Sequence, residues 1–105
     1  MDFLNKWFIK EMDMWDREYI NMEVDGYIEI NDECNGNFQF GLVKGKIIYK
    51  INKVNNKEVI KFKFTAVDEF DPVTGTGWMQ IIENGEVEGE FSFDNGETSG
   101  FVAEC

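Results

Sequence analysis

From Tyr27 onward the chain alternates between apolar and polar residues, and this period of two constrains the fold more than any other feature of the sequence. The alternation covers seven short runs, at 27–31, 37–42, 46–54, 58–67, 76–83, 86–94 and 97–104. Three junctions hold residue pairs that accept the positive φ of a tight hairpin turn: Asn55-Asn56, Asn84-Gly85 and Asn95-Gly96. The pattern predicts a mainly β fold, an antiparallel seven-strand meander that forms a small barrel or a two-layer sheet, because either arrangement hides sheet edges.

The turn at Asn55-Asn56 determines which side chains of its hairpin face inward. With a two-residue loop, the facing apolar pairs are Ile47–Phe64, Tyr49–Phe62 and Ile51–Ile60. The other face then carries Lys50 opposite Lys61. Because a slip of one residue would bury these lysines, the pattern specifies the register strongly.

The same arithmetic at Asn84-Gly85 places Trp78 in the core, opposite Phe91. At Asn95-Gly96 it places Phe91 opposite Gly100. The second face of these strands then carries a small apolar patch, which either an N-terminal helix or a partner would cover. The members of this patch are Met79, Ile81, Phe101 and Ala103.

The first two runs meet at a less regular junction. A three-residue loop at Cys34-Asn35-Gly36 would pair Ile28 with Leu42 and Ile30 with Phe40, with a bulge at the glycine. The segment FGLVKGK that follows predicts a bulge or a sharp bend, because its glycines interrupt an otherwise strand-like pattern.

The N-terminal segment has a different period. Its apolar residues recur at steps of four and three, which places them on one stripe of a helix. The stripe consists of Leu4, Phe8, Met12, Trp15, Tyr19 and Met22. We therefore expect one N-terminal α-helix, over about residues 2–20, packed on the sheet, because a short helix needs tertiary contacts to be stable.

The length of 105 residues predicts a single domain spanning 1–105, with the β-meander occupying 26–105. Hydrophobic residues make up 43% of the chain, which is enough for a packed interior. The N-terminal segment has charges where a secretory signal has its apolar stretch, and no apolar run approaches the ~20 residues of a membrane span. With only Cys34 and Cys105, which form no disulfide framework, we expect a cytoplasmic protein with reduced thiols.

Charge and the absence of histidine exclude several function classes. The net charge of −11 disfavours nucleic acid and anionic membranes as partners and favours a protein with a basic surface. With no histidine, the chain cannot form Ser-His-Asp or Cys-His pairs or a histidine-based zinc site. We expect no cofactor and no bound metal. An enzyme would depend on carboxylates or on Cys34.

The charges are also unevenly distributed along the chain. The lysines crowd into one stretch: Lys44, Lys46, Lys50, Lys53, Lys57, Lys61 and Lys63. After Lys63 no basic residue remains, so the chain combines a basic hairpin with an acidic remainder. This layout indicates either two solvated faces, or a protein that associates with itself head to tail or captures a basic partner with its acidic side.

The stretch DEFDPVTGTGW, residues 68–78, contains the only proline and predicts a type I turn over Asp71-Pro72-Val73-Thr74. Its carboxylates lack the spacing of a calcium loop. Nothing around them resembles the sugar cleft of a glycosidase. An apolar ring flanked by acids is a candidate anchor for a basic partner. The candidate partner-binding residues are Asp68, Glu69, Phe70 and Asp71.

Three segments resemble the pattern of a family of small bacterial proteins and domains with no assigned function. They are FQFGLVKG (38–45), DEFDPVTGTGW (68–78) and GEVEGEFSFDNGETSGF (85–101). The resemblance covers the β portion, and its middle motif is the most specific. Relatives often carry histidine where this chain has Asp94, so histidine-dependent chemistry could not operate here. The resemblance implies an uncharacterised bacterial domain and lends no activity.

The leading functional hypothesis is a non-enzymatic binding or interaction module for a protein partner. A narrower form, an immunity-type neutraliser of a basic toxin, depends on charge alone. The alternative is a small barrel that binds an apolar ligand in a cavity. The cavity would be lined by Tyr49, Phe62, Trp78 and Phe91. A third hypothesis is a carboxylate- or Cys34-dependent enzyme, which requires a strongly perturbed acid or thiol in a cleft.

Overall fold

The computed structural model describes residues 3–83 and 85–105, which form an eight-stranded closed barrel. The elements in chain order are β1 (Asn5–Met12), α1 (Arg17–Ile20), β2 (Tyr27–Ile30), β3 (Asn35–Phe40), β4 (Val43–Val54), β5 (Lys57–Asp68), β6 (Asp71–Glu83), β7 (Glu86–Phe93) and β8 (Thr98–Glu104). Each strand pairs antiparallel with the next, and β1 pairs with β8 to close the sheet. The predicted mainly β meander and its barrel form are confirmed.

The N-terminal helix prediction is wrong over most of its length, because residues 5–12 form strand β1. Trp7 and Ile9 face the core on alternate positions, and a register shift between Ile9 and Glu11 then brings Met12 inward. This bulge breaks the period of two, which explains why the segment looked helical in sequence. Residues 1 and 2 lie outside the described residues.

Helix α1 has only four residues, and its N-cap is Asp16, whose side chain accepts a hydrogen bond from the backbone N–H of Tyr19 at 2.9 Å. Ile20 is buried, and Trp15 packs on Phe40 with their ring centroids 5.0 Å apart. The segment between β1 and β2 therefore covers one end of the barrel. Among the described residues, no helix has the length and apolar character needed to cross a membrane.

The turn at Asn55-Asn56 has the predicted geometry, with φ of 53° and 66°. The predicted facing pairs, such as Tyr49 with Phe62, are confirmed. Ile51 is nevertheless 48% exposed, because β3 pairs with β4 only as far as Ile48. The end of the β4–β5 hairpin thus extends beyond its neighbour on one side.

The predicted register of the β6–β7 hairpin is wrong by one residue. A register shift between Ile81 and Glu83 places Trp78 opposite Glu90 and Met79 opposite Gly89. Met79 is fully buried, whereas Trp78 is half-buried on the outer face. The extra residue of this bulge reverses which face each β6 side chain occupies. Asn84, the first residue of the predicted turn, lies outside the described residues.

The β7–β8 turn also differs from the prediction by one residue. The Phe93 N–H donates to the carbonyl oxygen of Glu97 at 2.8 Å, and Gly96 has φ of 100°, so the loop has three residues. Phe91 consequently faces Ser99 instead of Gly100. The predicted second-face patch lies in or against the core: Met79, Phe101 and Ala103 are buried, and Ile81 packs against them.

The β2–β3 loop lies earlier than predicted. Glu33 and Cys34 have φ of 61° and 63°, and Ile28 pairs with Phe38 instead of Leu42. Ile30 correspondingly pairs with Gly36 instead of Phe40. Two non-glycine residues thus take the left-handed conformation in this loop, and Gly36, where the sequence predicted the bulge, does not. The predicted bend in FGLVKGK is a two-residue turn after Phe40, with φ of 57° at Gly41.

The predicted turn at 71–74 is also wrong, because these residues begin strand β6. Pro72 pairs with Val67, and the hairpin turns at Glu69-Phe70, with φ of 61° at Glu69. A strand accepts proline at this position because the pairing of β6 with β7 begins only at Gly75.

Phenylalanine rings fill the barrel interior around Phe91, which is fully buried. The centroids nearest to it belong to Phe38, at 5.0 Å, and Phe101, at 5.1 Å. On β6, Gly77 leaves room for the facing ring, since a Cβ there would lie 2.3 Å from Phe62 Cζ. Small residues on β6 thus complement large ones on β5.

Candidate functional site

The β5–β6 turn forms a protruding acidic tip, which we define as residues 68–71. All four of its residues are exposed, and the ring of Phe70 is 88% exposed. Asp68 and Asp71 are cross-strand partners at the base of the turn. The Glu69 N–H donates to the carbonyl oxygen of Leu42 at 3.0 Å. The structure thus brings together all four residues predicted to bind a partner and fixes their backbone against the β3–β4 turn.

The acidic tip has the composition of an anchor. An exposed phenylalanine leaves a large apolar area in water, and burying such a side chain against a partner contributes about 1.5–3 kcal/mol. Carboxylates around it would meet a basic surface and orient the encounter. The tip joins two long paired strands, β5 and β6, so little backbone order has to be gained on binding.

Of the four residues predicted to line a ligand cavity, Tyr49, Phe62 and Trp78 contribute to the lining of one surface groove, and Phe91 does not. Tyr49, Phe62 and Phe91 are buried in the core, whereas Trp78 lies on the outer face. The Phe62 and Phe91 rings are in contact, with centroids 5.6 Å apart. The Tyr49 hydroxyl donates to the carbonyl oxygen of Asn31 at 2.6 Å. These side chains pack the interior and close its wall.

This groove lies on the outer face of β4 to β7, and the sequence analysis predicted neither its outward position nor its lysines. It encloses about 740 Å³, and its lining includes Trp78, Thr76 and Ile48 together with three lysines. We call it the Trp78 groove; its lysines are Lys50, Lys61 and Lys63. Its volume is in the range of ~300–1,000 Å³ that ligand sites occupy. One sequence signal could have revealed it: Gly75 and Gly77 alternate with Thr76 and Trp78, and only glycine fits opposite inward phenylalanines.

The lysines of the groove lie side by side on neighbouring strands. Lys50 and Lys61 are direct cross-strand partners, and Ile48 pairs with Lys63. Like charges in direct opposition destabilise a sheet. Among residues 3–83 and 85–105, the ion pairs all involve Lys10, so none neutralises these lysines. The groove is therefore a basic strip with an apolar indole at its side.

On the opposite side of the barrel, a pair of like charges has a counterion between its two members. Glu86 and Glu104 are also cross-strand partners, and Lys10 lies between them, with its Nζ 2.9 Å from one carboxylate and 3.8 Å from the other. The hydrogen bond and the charge of Glu86 raise the pKa of Lys10 above its ordinary value of 10.5. The acidic pair thus has its counterion within the chain, and the basic pair does not.

Both cysteines are free and exposed. Cys34 lies at the end of the Trp78 groove, at the β2–β3 loop. Its backbone carbonyl accepts a hydrogen bond from the N–H of Tyr49 at 3.0 Å, which ties the loop to β4.

Comparisons of the chain with models of protein families, with curated proteins and with solved structures find no match. The family resemblance in the three quoted segments therefore stays a prediction.

Proposed function

We propose that this protein is a non-enzymatic interaction module that binds a protein partner with a basic surface through its acidic tip. The proposal places it in the cytoplasm, where its two free cysteines would stay reduced. The observation that carries the proposal is the position of Phe70, 88% exposed at a turn whose other three residues are carboxylates.

The free energy gained by burying Phe70 is large enough for this one ring to supply most of the binding affinity. Interface energy is concentrated in a few residues, typically large side chains that enter a pocket on the partner. If burial of Phe70 contributes about 1.5–3 kcal/mol, its removal weakens binding roughly 10- to 150-fold. The surrounding carboxylates contribute mostly to steering and partner choice.

The packing of the interior favours this function over the ligand-binding barrel. The central ring of Phe91 is surrounded by other phenylalanines at centroid distances of 5.0 to 6.5 Å. These are contact distances for aromatic rings, so the side chains themselves occupy the middle of the barrel.

The proposal is tested by affinity capture from a lysate of the cells that produce the protein, with three immobilised variants. These are the wild type, Phe70→Ala, and a tip with amides in place of its acids, Asp68→Asn/Glu69→Gln/Asp71→Asn. A matched control is Ile82→Ala, which truncates another exposed apolar side chain away from the tip.

We expect at least one basic protein that the wild type and the control retain, that both tip variants lose, and that high salt elutes. Titration of that protein in purified form then gives the loss of affinity for Phe70→Ala. If no retained protein distinguishes the tip variants from the control, the proposed function is wrong.

A further inference from the structure

We infer that the protein also associates with itself head to tail, with the acidic tip of one copy in the Trp78 groove of the next. This inference rests on the proposed function, because it uses the same tip as the binding element. It assigns the groove an occupant and makes a second copy of the chain one of the partners of the tip.

The charges of the two surfaces are complementary. The tip carries three carboxylates within four residues, and the groove carries three exposed lysines that have no ion pair among the described residues. A carboxylate placed between Lys50 and Lys61 would relieve their direct opposition, as Lys10 relieves that of Glu86 and Glu104. On the same face, Glu90 is the cross-strand partner of Trp78 and is separated from Lys61 by the indole strand, β6.

The apolar parts are complementary as well. The groove presents the half-buried indole of Trp78 and the side chain of Ile48, which is 71% exposed. Phe70 is the most exposed large apolar side chain among the described residues. Stacking of one aromatic ring on another contributes about 0.5–1.5 kcal/mol beyond the area that it buries. The occupant that fits this groove is thus a short acidic turn with one aromatic ring.

A tip cannot reach the groove of its own barrel. Asp68, where β5 ends, lies five residues from Lys63, which corresponds to about 17 Å of paired strand, and Phe70 lies beyond it in the turn. Tip and groove occupy separate parts of the surface, so one molecule can use both at once. Such a contact is heterologous, and heterologous contacts build open chains or rings instead of closed dimers.

The test uses two purified variants that each lack one half of the contact. The groove variant is Lys61→Glu/Lys63→Glu, and the tip variant is Glu69→Lys/Phe70→Ala. A control, Lys44→Glu/Lys53→Glu, makes the same change of charge on the same two-stranded hairpin, outside the groove lining. All the substituted residues are exposed, and circular dichroism with thermal unfolding verifies that each variant is folded.

Sedimentation equilibrium and isothermal titration calorimetry then measure association. We expect the wild type and the control to form species larger than a dimer as concentration rises. The groove variant alone and the tip variant alone should each remain monomeric. An equimolar mixture of the two half-variants presents one intact tip and one intact groove, so it forms a 1:1 dimer that grows no further. Adding Trp78→Ala to the tip variant weakens this dimer at least tenfold.

Two results overturn the inference: a wild type that remains monomeric up to its solubility limit, or half-variants whose mixture stays monomeric. The proposed function fails separately. If the chain is monomeric but the capture of a basic protein still depends on Phe70, the tip binds a different partner and only self-association is wrong. If Phe70→Ala changes neither measurement, both are wrong.

Discussion

Replacing Phe91 by alanine tests whether phenylalanine rings fill the interior of the barrel. The residue is fully buried, and the centroids of Phe38, Phe40 and Phe101 lie 5.0, 5.4 and 5.1 Å from its own. Removing a core phenylalanine costs about 3–5 kcal/mol, through lost burial and the cavity that remains. Because the rings around this position belong to several strands, they cannot collapse together, and we expect a loss near the upper end.

The expected loss is large relative to the stability of a domain of this size. Domains typically unfold with about 5–15 kcal/mol, so the variant retains a fraction of its stability. With about 4–8 °C per kcal/mol, a loss of ~4 kcal/mol lowers the melting temperature by roughly 16–32 °C. Urea unfolding, monitored by circular dichroism, measures the free energy directly, provided that the dependence on denaturant is unchanged.

Phe70→Ala is the matched control, because it removes the same side chain from a position that is 88% exposed. Exposed substitutions of this kind change stability by about 0.5 kcal/mol or less. If Phe91→Ala costs less than ~1 kcal/mol, or the two variants cost the same, the interior is not packed as described.

Three further measurements test the register and the surface. Met79→Ala should cost about 2–5 kcal/mol in urea unfolding, whereas Ile82→Ala on the outer face should cost well under half as much; equal costs would restore the register that the sequence predicted. Gly77→Ala should destabilise by roughly 1–3 kcal/mol, because its methyl group would overlap a buried ring, and a neutral effect would contradict this contact. For Lys10, the raised folded-state pKa means that its contribution is complete below pH 10.5 and disappears as pH rises through that folded-state pKa. The difference in unfolding free energy between wild type and Lys10→Gln should therefore shrink above pH 10.5, and a constant difference would show that the ion pair adds nothing.

The sequence predicted the fold well wherever local chemistry decides the geometry. The asparagine pair at 55–56 accepts positive φ at both positions, so its turn type and the facing residues of β4 and β5 followed directly. The number and order of the strands after residue 27 also followed, because alternation and turn residues mark them. The acidic tip was identified as a candidate surface from its composition, although its turn was placed three residues too late.

The errors come from bulges and long-range pairing, which leave a weak local signal. Single extra residues near Lys10 and Ile82 reverse the faces of β1 and β6, and a count of positions cannot detect them. The first segment is a strand because β2 and β8 are available on either side of it, a tertiary cause. The same bulge in β6 explains why the Trp78 groove was not predicted. The sequence placed Trp78 in the core, so it was not considered as part of an outer surface.

The pairing of β1 with β8 has a consequence for how the chain assembles during translation. Phe8 meets Glu104, so the seam forms only after β8, the last strand of the barrel, has left the ribosome. Until then, the growing meander has two unpaired edges, β1 and the strand added last, at which another nascent chain can add by strand exchange. Closure across this distance also raises the contact order, which predicts folding in milliseconds to seconds instead of microseconds. A circular permutant that links residues 105 and 1 and opens the turn at 55–56 would make this pairing local, but it would turn the longer pairing of β4 with β5 into the long-range seam, so it should fold more slowly than the parent chain.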